Sequence, residues 1–413
     1  VVNRIHIVGG GWSGIAAAVR AVQAGLAVHL YDMAPQLGGR ARSVVHQGQS
    51  LDNGQHVLVG ACQQTLALMQ TLGLEPNDLL ARIPLRLAVP AGPQANWMAH
   101  SHPIRQLWGL ITDPDWSWTE RWQWSRTLAA LRWSQSHRWA HQSVEDWLGR
   151  FATGSVHHWL GVLCVCVMNL PPHLASAGLF LKVLQSALGQ PGGSDVLVPR
   201  VGLSQLLPQA AYAWLERHGA VVHLHHRVAE LGGLLAAGPV VLAASAAESA
   251  RLAAPHAPVW ADAMHALSHS AIATVYTQWD DTPPRLSDPL VFLPPHHDQP
   301  AQVIIDLGAI GHTHHATGCW AWVVSHAQGS REVITQGVLA QAQHQWAKQP
   351  RVLGTLMEKR ATVNCTPDTH RPGFAVAPGL WACGDAVDGD FPSTLEGAIA
   401  SGQACIQAVL ADG

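Results

Sequence analysis

The sequence predicts an α/β fold in which a Rossmann-type nucleotide-binding domain is interleaved with an α+β domain of mixed sheet and helices. Three observations carry this. An apolar run at 5–8 leads into Gly9-x-Gly11-x-x-Gly14 and an Ala-rich stretch, the order of a strand, a tight turn and a helix. Apolar strand-like runs return at 220–224, 239–245 and 380–383, each bounded by turn residues. Between them, 271–279, 289–293, 301–307 and 320–325 alternate in the manner of a second, antiparallel sheet. At 413 residues the chain is too long for one core, so two domains are expected.

Each glycine of the first turn has its own task. Gly9 lets the chain turn sharply, Gly11 lets backbone approach a pyrophosphate, and Gly14 lets helix and strand pack closely. The helix expected over 15–24 offers unpaired N–H groups and a partial positive charge at its start. A second strand at 27–31 ends at Asp32, whose carboxylate can take a ribose hydroxyl pair and repel a 2′-phosphate. Next, Gly38-Gly39 allow close backbone approach, and Arg40 and Arg42 form the first cluster of positive charge. A guanidinium beside a glycine turn can hold phosphate bidentately. Leu51-Asp52-Asn53-Gly54-Gln55-His56 reads as a turn carrying polar groups toward a site, with a strand or helix starting at 57–59.

From Trp97 to Trp159 the chain carries ten of its eighteen tryptophans, mixed with arginine and neutral polar residues. Apolar residues at 118, 122, 128 and 131 predict one helical face. A Trp-lined helical core, the wall of an apolar tunnel and an interfacial membrane helix all fit that pattern.

Gln190-Pro191-Gly192-Gly193 is a turn-rich linker back to the nucleotide-binding sheet, followed by a helix near 204–217. Residues 332–346 read as a helix. Near the end, the strand at 380–383 runs into Gly384-Asp385, placing a carboxylate at a strand tip. After Pro392 a helix begins with Ser393 or Thr394 as cap, its N-terminus facing an electron-rich ring edge.

Composition bounds the partners. A formal net charge of −3 gives no positive field for a nucleic acid. Charged residues make up 12% against 48% hydrophobic, about half the usual charged share, which suits an apolar substrate or a membrane face. No stretch reads as a spanning helix, the uncharged run 231–247 being broken by Gly232-Gly233 and Gly238-Pro239. The N-terminal apolar segment belongs to the nucleotide fold rather than to a signal peptide. Seven scattered cysteines suit a reducing compartment, with Cys164 and Cys166 as core packing. A cytoplasmic protein touching the membrane peripherally is expected. Of the 26 histidines, the runs 223–226 and 312–315 invite a metal, but they lack carboxylate or thiolate partners at ligand spacing and read as solvated surface.

Four separated pieces, Gly9 to Asp32, Gly38-Gly39-Arg40, the V-P-R-V-G-L-S to H-R-V-A-E-L region and G-D-A…P-S-T-L-E-G-A-I-A-S-G, together resemble the FAD-dependent amine oxidase and phytoene desaturase superfamily over essentially the full length. Within it, D-N-G-Q-H-V-L-V-G-A-C (52–62), E-K-R-A-T-V-N-C-T-P (358–367) and D-G-D-F-P-S-T-L-E-G-A (388–398) look most like the hydroxysqualene dehydroxylases of bacterial hopanoid biosynthesis. The resemblance implies FAD held by Gly9, Gly11, Gly14, Asp32, Gly39, Arg40, the backbone at Val228, Gly384 and Asp385, with Gly54, Gln55, Thr394 and Leu395 near the isoalloxazine. Cys383 departs from the small residue common before Gly-Asp in the superfamily.

The implied reaction is reductive removal of an allylic hydroxyl from a long apolar isoprenoid, with an external electron donor. A hydroxyl leaves poorly unless a proton turns it into water, and Asp52 and His56 are the candidate donors because their turn should reach the flavin. The bland alternative is that Asp52 fixes the turn and His56 binds backbone. A carotenoid-type desaturase running electrons the other way and a non-catalytic flavin-binding partner of terpenoid synthases are the competing readings. A small-amine oxidase is poorer, since three tyrosines (31, 212, 276) show no cage motif. Residues 1–85, 190–255 and 355–413 are assigned to the FAD-binding domain, and 86–189 with 256–354 to the substrate domain.

Overall fold

The protein is described by a computed structural model covering residues 3–88, 94–95, 108–109, 117–293 and 299–412. The apolar run at the start forms β1 (Arg4–Val8), the glycine turn leads into α1 (Trp12–Gln23), and β2 (Ala27–Tyr31) follows. The helix starts three residues earlier than the sequence suggests, because Gly11 already serves as its N-cap residue.

Strands from distant parts of the chain join this unit: β10 (Val221–His223), β11 (Val240–Leu242), β17 (Ala375–Ala377) and β18 (Leu380–Ala382). They give a six-stranded sheet in the order β10-β2-β1-β11-β18-β17, parallel except for the antiparallel edge strand β17. Because side chains alternate along a strand, Ile5 and Ile7 pack on one face with α1, α9 (Pro208–Arg217) and α14 (Leu395–Asp412). Val8, Val240 and Leu242 pack on the other with α11 (Ala246–Ala253) and α12 (Pro258–His265), beside the short α10 (Gly232–Ala237). Both faces are covered, as a parallel sheet requires. The single helix expected over 204–217 is two, α8 (Leu203–Leu206) and α9, since Pro208 cannot donate into a continuous helix and instead starts the second one.

A hairpin, β3 (Ser43–His46) and β4 (Gln49–Asp52), leads to the Asp52 turn and then to β5 (Leu58–Val59). Beyond α2 (Gln63–Thr71) and α3 (Pro76–Leu79), β6 (Leu80–Ile83) pairs β9 (Val196–Pro199), which also pairs β5; β7 (Leu87–Ala88) and β8 (Gln94–Ala95) form a short ladder. The second large sheet is antiparallel, in the order β13-β14-β15-β12-β16, from β12 (His269–Gln278), β13 (Leu290–Phe292), β14 (Val303–Asp306), β15 (Cys319–Val324) and β16 (Arg351–Val363). One face is sealed by α13 (Arg331–Trp346), with Trp346 edge-on to Trp320 at 5.3 Å.

The Trp-rich segment folds as α4 (Trp118–Trp133), α5 (Val144–Phe151), α6 (Gly154–Met168) and α7 (Ala177–Leu188). Here the expected face of α4 needs correction. Trp124, Thr127 and Leu131 are buried, with Leu128 packed partly beside them, whereas Trp118 and Trp122 face solvent. Tryptophan counted as apolar on both sides of the helix, so hydropathy alone could not choose the inner one. Trp97 and Trp116 lie outside the described residues.

The histidine runs are solvated only in part: His225, His226 and His314 are exposed, whereas His312 is buried and His223 and His315 are half-buried. His312 is 5% exposed, and burial, with His315 and His314 beside it, pulls its imidazole down to about 3. His223 stacks on Tyr31 at 4.5 Å and meets His29 at 3.2 Å. A neutral imidazole packs as a flat aromatic, so individual histidines of such runs can turn inward. Among the described residues no group of three or more His, Cys, Asp or Glu is placed to hold a metal ion.

Candidate functional site

Two glycine loops meet at the start of α1. Gly9 has φ +113°, and a Cβ there would lie 2.4 Å from the Ala243 carbonyl oxygen of the loop after β11. A Cβ on Gly14 would lie 1.8 Å from the Gly9 carbonyl oxygen. No side chain fits at either position, so β1, the turn and α1 pack backbone to backbone. Gly38 donates its N–H to the Gly10 carbonyl at 2.8 Å, and a Cβ on Gly39 would come within 3.0 Å of Gly11 Cα. Gly11 has no side chain to cap α1, so the N–H groups and positive end of the helix dipole face a cradle walled by bare backbone. That is the shape and polarity a dinucleotide pyrophosphate requires.

Asp32 ends β2 at this cradle. Its Oδ2 accepts the Gly10 N–H at 2.6 Å and its Oδ1 the Ala34 N–H at 2.7 Å. Each carboxylate oxygen keeps a further lone pair for a ribose hydroxyl. Val228 is buried on the loop after β10, its carbonyl accepting from Arg251 at 2.9 Å.

The C-terminal piece comes to the same place. Asp385, just past β18, pairs with Arg40 at 2.6 Å and accepts the Ser393 hydroxyl at 2.6 Å. Burial alone would raise this carboxyl, but the Arg40 charge and the hydrogen bonds of Ser393 and Arg40 hold it below the usual carboxylate range. Arg40 also donates to the carbonyls of Ala361 and Arg360 at 2.8 and 3.1 Å, so the guanidinium expected to clamp phosphate ties the second glycine loop to β16 and the β18 tip. Gly384 donates to Ser401 at 3.0 Å. Of the two expected caps, Thr394 accepts the Gly397 N–H at 3.1 Å and Leu395 begins α14; Ser393 instead bridges Asp385 and the Val363 N–H.

The Asp52 turn adjoins these elements. Asp52 is buried, and its Oδ1 accepts from the Leu203 N–H at 2.8 Å and the Ser43 hydroxyl at 2.7 Å. Burial raises its carboxyl against those two bonds. The Tyr276 hydroxyl donates to the Asp52 carbonyl at 3.0 Å and receives Gln55 Nε2 at 3.0 Å, while the Gln55 N–H donates to Thr274 at 3.2 Å. His56 is half-buried, with Nδ1 3.0 Å from the Gly54 carbonyl. A carbonyl only accepts, so Nδ1 carries a proton and Nε2 is the nitrogen left for other chemistry. Burial pulls His56 below the usual histidine range; the Gly54 carbonyl opposes this and the Arg40 charge adds to it.

Several residues here carry no local signal in the sequence. Tyr276 lies on β12, and nothing at its own position announces Asp52 as its partner. Arg371 donates to Phe391 and Gly389 carbonyls at 2.8 and 2.6 Å and pins the loop after Asp385. Glu396 caps a different helix: its oxygens accept the Gln64 and Thr65 N–H groups, each at 2.9 Å, and the Thr65 hydroxyl at 2.6 Å.

An apolar pocket opens among α4, α6 and α7, lined by Leu85, Trp124, Leu128, Leu131, Leu163 and Leu184 among others. Its surrounding core is continuous with Leu51 and Tyr276, the neighbours of the Asp52 turn.

Residues 12–283 match the family described as flavin containing amine oxidoreductase. Hydroxysqualene dehydroxylase of Sinorhizobium fredii is 25% identical, and that of Rhodopseudomonas palustris 26% identical, each alignment covering 99% of both chains. Among solved structures, wild-type putrescine oxidase bound to putrescine superposes with a TM-score of 0.68 at 16% identity, covering 100% of this chain and 99% of that one. The glycine-walled cradle fits the FAD this family carries, a group that supplies two-electron redox chemistry when bound. The chain belongs to the flavin-containing amine oxidoreductases and is an FAD-dependent oxidoreductase.

Proposed function

We propose that the protein removes the allylic hydroxyl of hydroxysqualene reductively, giving squalene and water. The single observation that carries this is likeness over 99% of both chains to two hydroxysqualene dehydroxylases. The side chains packed among α4, α6 and α7 are apolar, but the pocket they leave is only about 30 Å³ and would have to widen to admit a hydrocarbon chain. In balance, the carbon–oxygen bond breaks and a carbon–hydrogen bond forms, a two-electron, two-proton reduction in which bound FAD would supply the two-electron chemistry, an external donor the reducing equivalents, and a side chain the proton that leaves with the hydroxyl as water.

In this reading Gly9, Gly11, Gly14 and Gly39 admit the pyrophosphate by backbone. Asp32 takes the adenosine ribose, and the Val228 backbone lies along the adenine side. Arg40, Gly384 and Asp385 hold the flavin end, with Gly54, Gln55, Thr394 and Leu395 at its ring. Residues 1–85, 190–255 and 355–413 are read as the FAD unit and 86–189 with 256–354 as the substrate unit, except that α12 (Pro258–His265) packs on the nucleotide-binding sheet and β16 runs across the boundary.

His56 in its imidazolium form, with Nδ1–H kept on the Gly54 carbonyl, would deliver the Nε2 proton to the leaving hydroxyl. Asp52 is a positioning residue, because its bonds to Leu203 and Ser43 and the Tyr276–Gln55 chain hold the turn that presents His56. The leucine-rich core excludes water from the carbon losing its hydroxyl.

The test is an anaerobic half-reaction. Protein whose flavin has been chemically reduced is mixed with hydroxysqualene, and flavin absorbance and products are followed. Reoxidation with squalene formed is the expected result. Reduction of oxidised flavin by squalene or phytoene would establish the desaturase direction, and no redox response to any polyprene would leave a docking role.

A further inference from the structure

We propose that the outer face of α4 docks the protein on an anionic lipid surface. Trp118, Trp122 and Trp133 are 77%, 63% and 77% exposed. At 3.6 residues per turn they fall within one arc of about 60°. The Arg121 guanidinium lies 4.9 Å from the Trp118 ring centroid and that of Arg126 5.5 Å from Trp122. Arg126 borders the arc on one side, and Arg121 and Arg132 border it on the other.

A row of exposed indoles is costly in water, and such patches mark contact surfaces. An indole has an apolar body and a polar N–H, which suits the boundary between acyl chains and headgroups, and flanking guanidinium groups suit lipid phosphates. Charge selects the occupant. The one acid on α4, Glu120, is turned into the helix cap, where it accepts the Ser117 N–H and hydroxyl at 3.0 and 2.8 Å. Among the described residues of α4 no acid faces outward, and Arg126 and Arg132 make the stripe complementary to an anionic bilayer. Among the described residues no helix is long and apolar enough to cross a membrane, so the contact is peripheral.

The inner face of the same helix carries Trp124, Leu128 and Leu131, which wall the apolar pocket. Docking thus sets the pocket one helix diameter, about 10 Å, from lipid. That a polyprene dissolved in the bilayer passes to this pocket rests on the reaction proposed above; the docking rests on the surface alone.

The experiment sediments the holoprotein with vesicles of phosphatidylcholine, with or without phosphatidylglycerol, at low and high salt. Binding to the anionic vesicles is expected to be at least about tenfold tighter and to weaken with salt. A Trp118→Ser/Trp122→Ser/Trp133→Ser variant should lose about tenfold or more while keeping its flavin and its melting temperature. Replacing Arg121, Arg126 and Arg132 with glutamine should reduce binding to the phosphatidylcholine level. Parent protein that stays in the supernatant with both vesicles overturns the proposal. So does a triple-serine variant that binds like the parent, or a stripe that mediates only concentration-dependent self-association. Protein that binds vesicles yet leaves hydroxysqualene unchanged overturns the reaction, not the surface.

Discussion

At the scale of single residues, His56 and Asp52 sit four positions apart and have different surroundings. Asp52 spends its Oδ1 on Leu203 and Ser43, whereas His56 uses only Nδ1, on Gly54. His56→Gln is expected to lower kcat about 10²-fold with little change in KM, as loss of a proton donor does. Asp52→Asn should lower stability and turnover together. The pH profile separates the two roles. His56 is lowered below the usual value, so the protonated donor is lost as pH rises through that lowered value; the rate limb of the parent should fall there and be missing from the glutamine variant. An unchanged limb in the variant would remove His56 from the chemistry. The glycines and strand-tip acids were legible because each answers a local backbone demand. The partners of Arg40 were not, since Asp385 is 345 residues away and only the closed sheet brings them together.

At the scale of elements, the strands were read well because a parallel strand covered on both faces is a short continuous apolar run. The faces of α4 were read poorly because tryptophan lines its inside and its outside alike. The cap on α2 lay beyond any local pattern. The residue before that helix, Cys62, makes no side-chain cap, and the second and third N–H groups of the helix are taken by Glu396 from the first turn of α14. One carboxylate thus joins two helices and answers the dipole of one of them. Glu396→Ala would leave two backbone donors and the Thr65 hydroxyl without acceptors, two of the three on the fully buried Thr65. A loss of about 2–3 kcal/mol is expected, which for a chain of this size is about 3 °C in melting temperature. Glu396→Gln should lose about half as much, since its amide keeps one accepting oxygen. Thermal unfolding of the holoprotein measures both, and an alanine variant as stable as the parent would show that water replaces the carboxylate at no cost.

At the scale of the whole molecule, the two glycine loops and the strand tips lie in the nucleotide-binding sheet, while the apolar pocket lies among the helices. The Asp52 turn stands between them, in one continuous core with Leu51, Tyr276 and Trp124. In the proposed reaction, with the reacting carbon at the turn, the far end of the chain would enter this layer, where the pocket of about 30 Å³ would have to open between the helices to seat it. Substrate length then becomes a property of the helical layer rather than of the flavin site. Ala187 is nearly buried on α7 and lines the pocket, so Ala187→Phe would place a ring where the chain end should lie. Each methylene excluded from an apolar pocket costs about 1–3 kcal/mol of discrimination. The variant should therefore lose at least about tenfold in kcat/KM for hydroxysqualene while turning over a truncated allylic polyprenol at close to the parental rate. Retained flavin and an unchanged melting temperature distinguish a filled pocket from a damaged core. If long and short substrates lose rate equally, the chain end lies elsewhere and the pocket is only a packing defect of the helices.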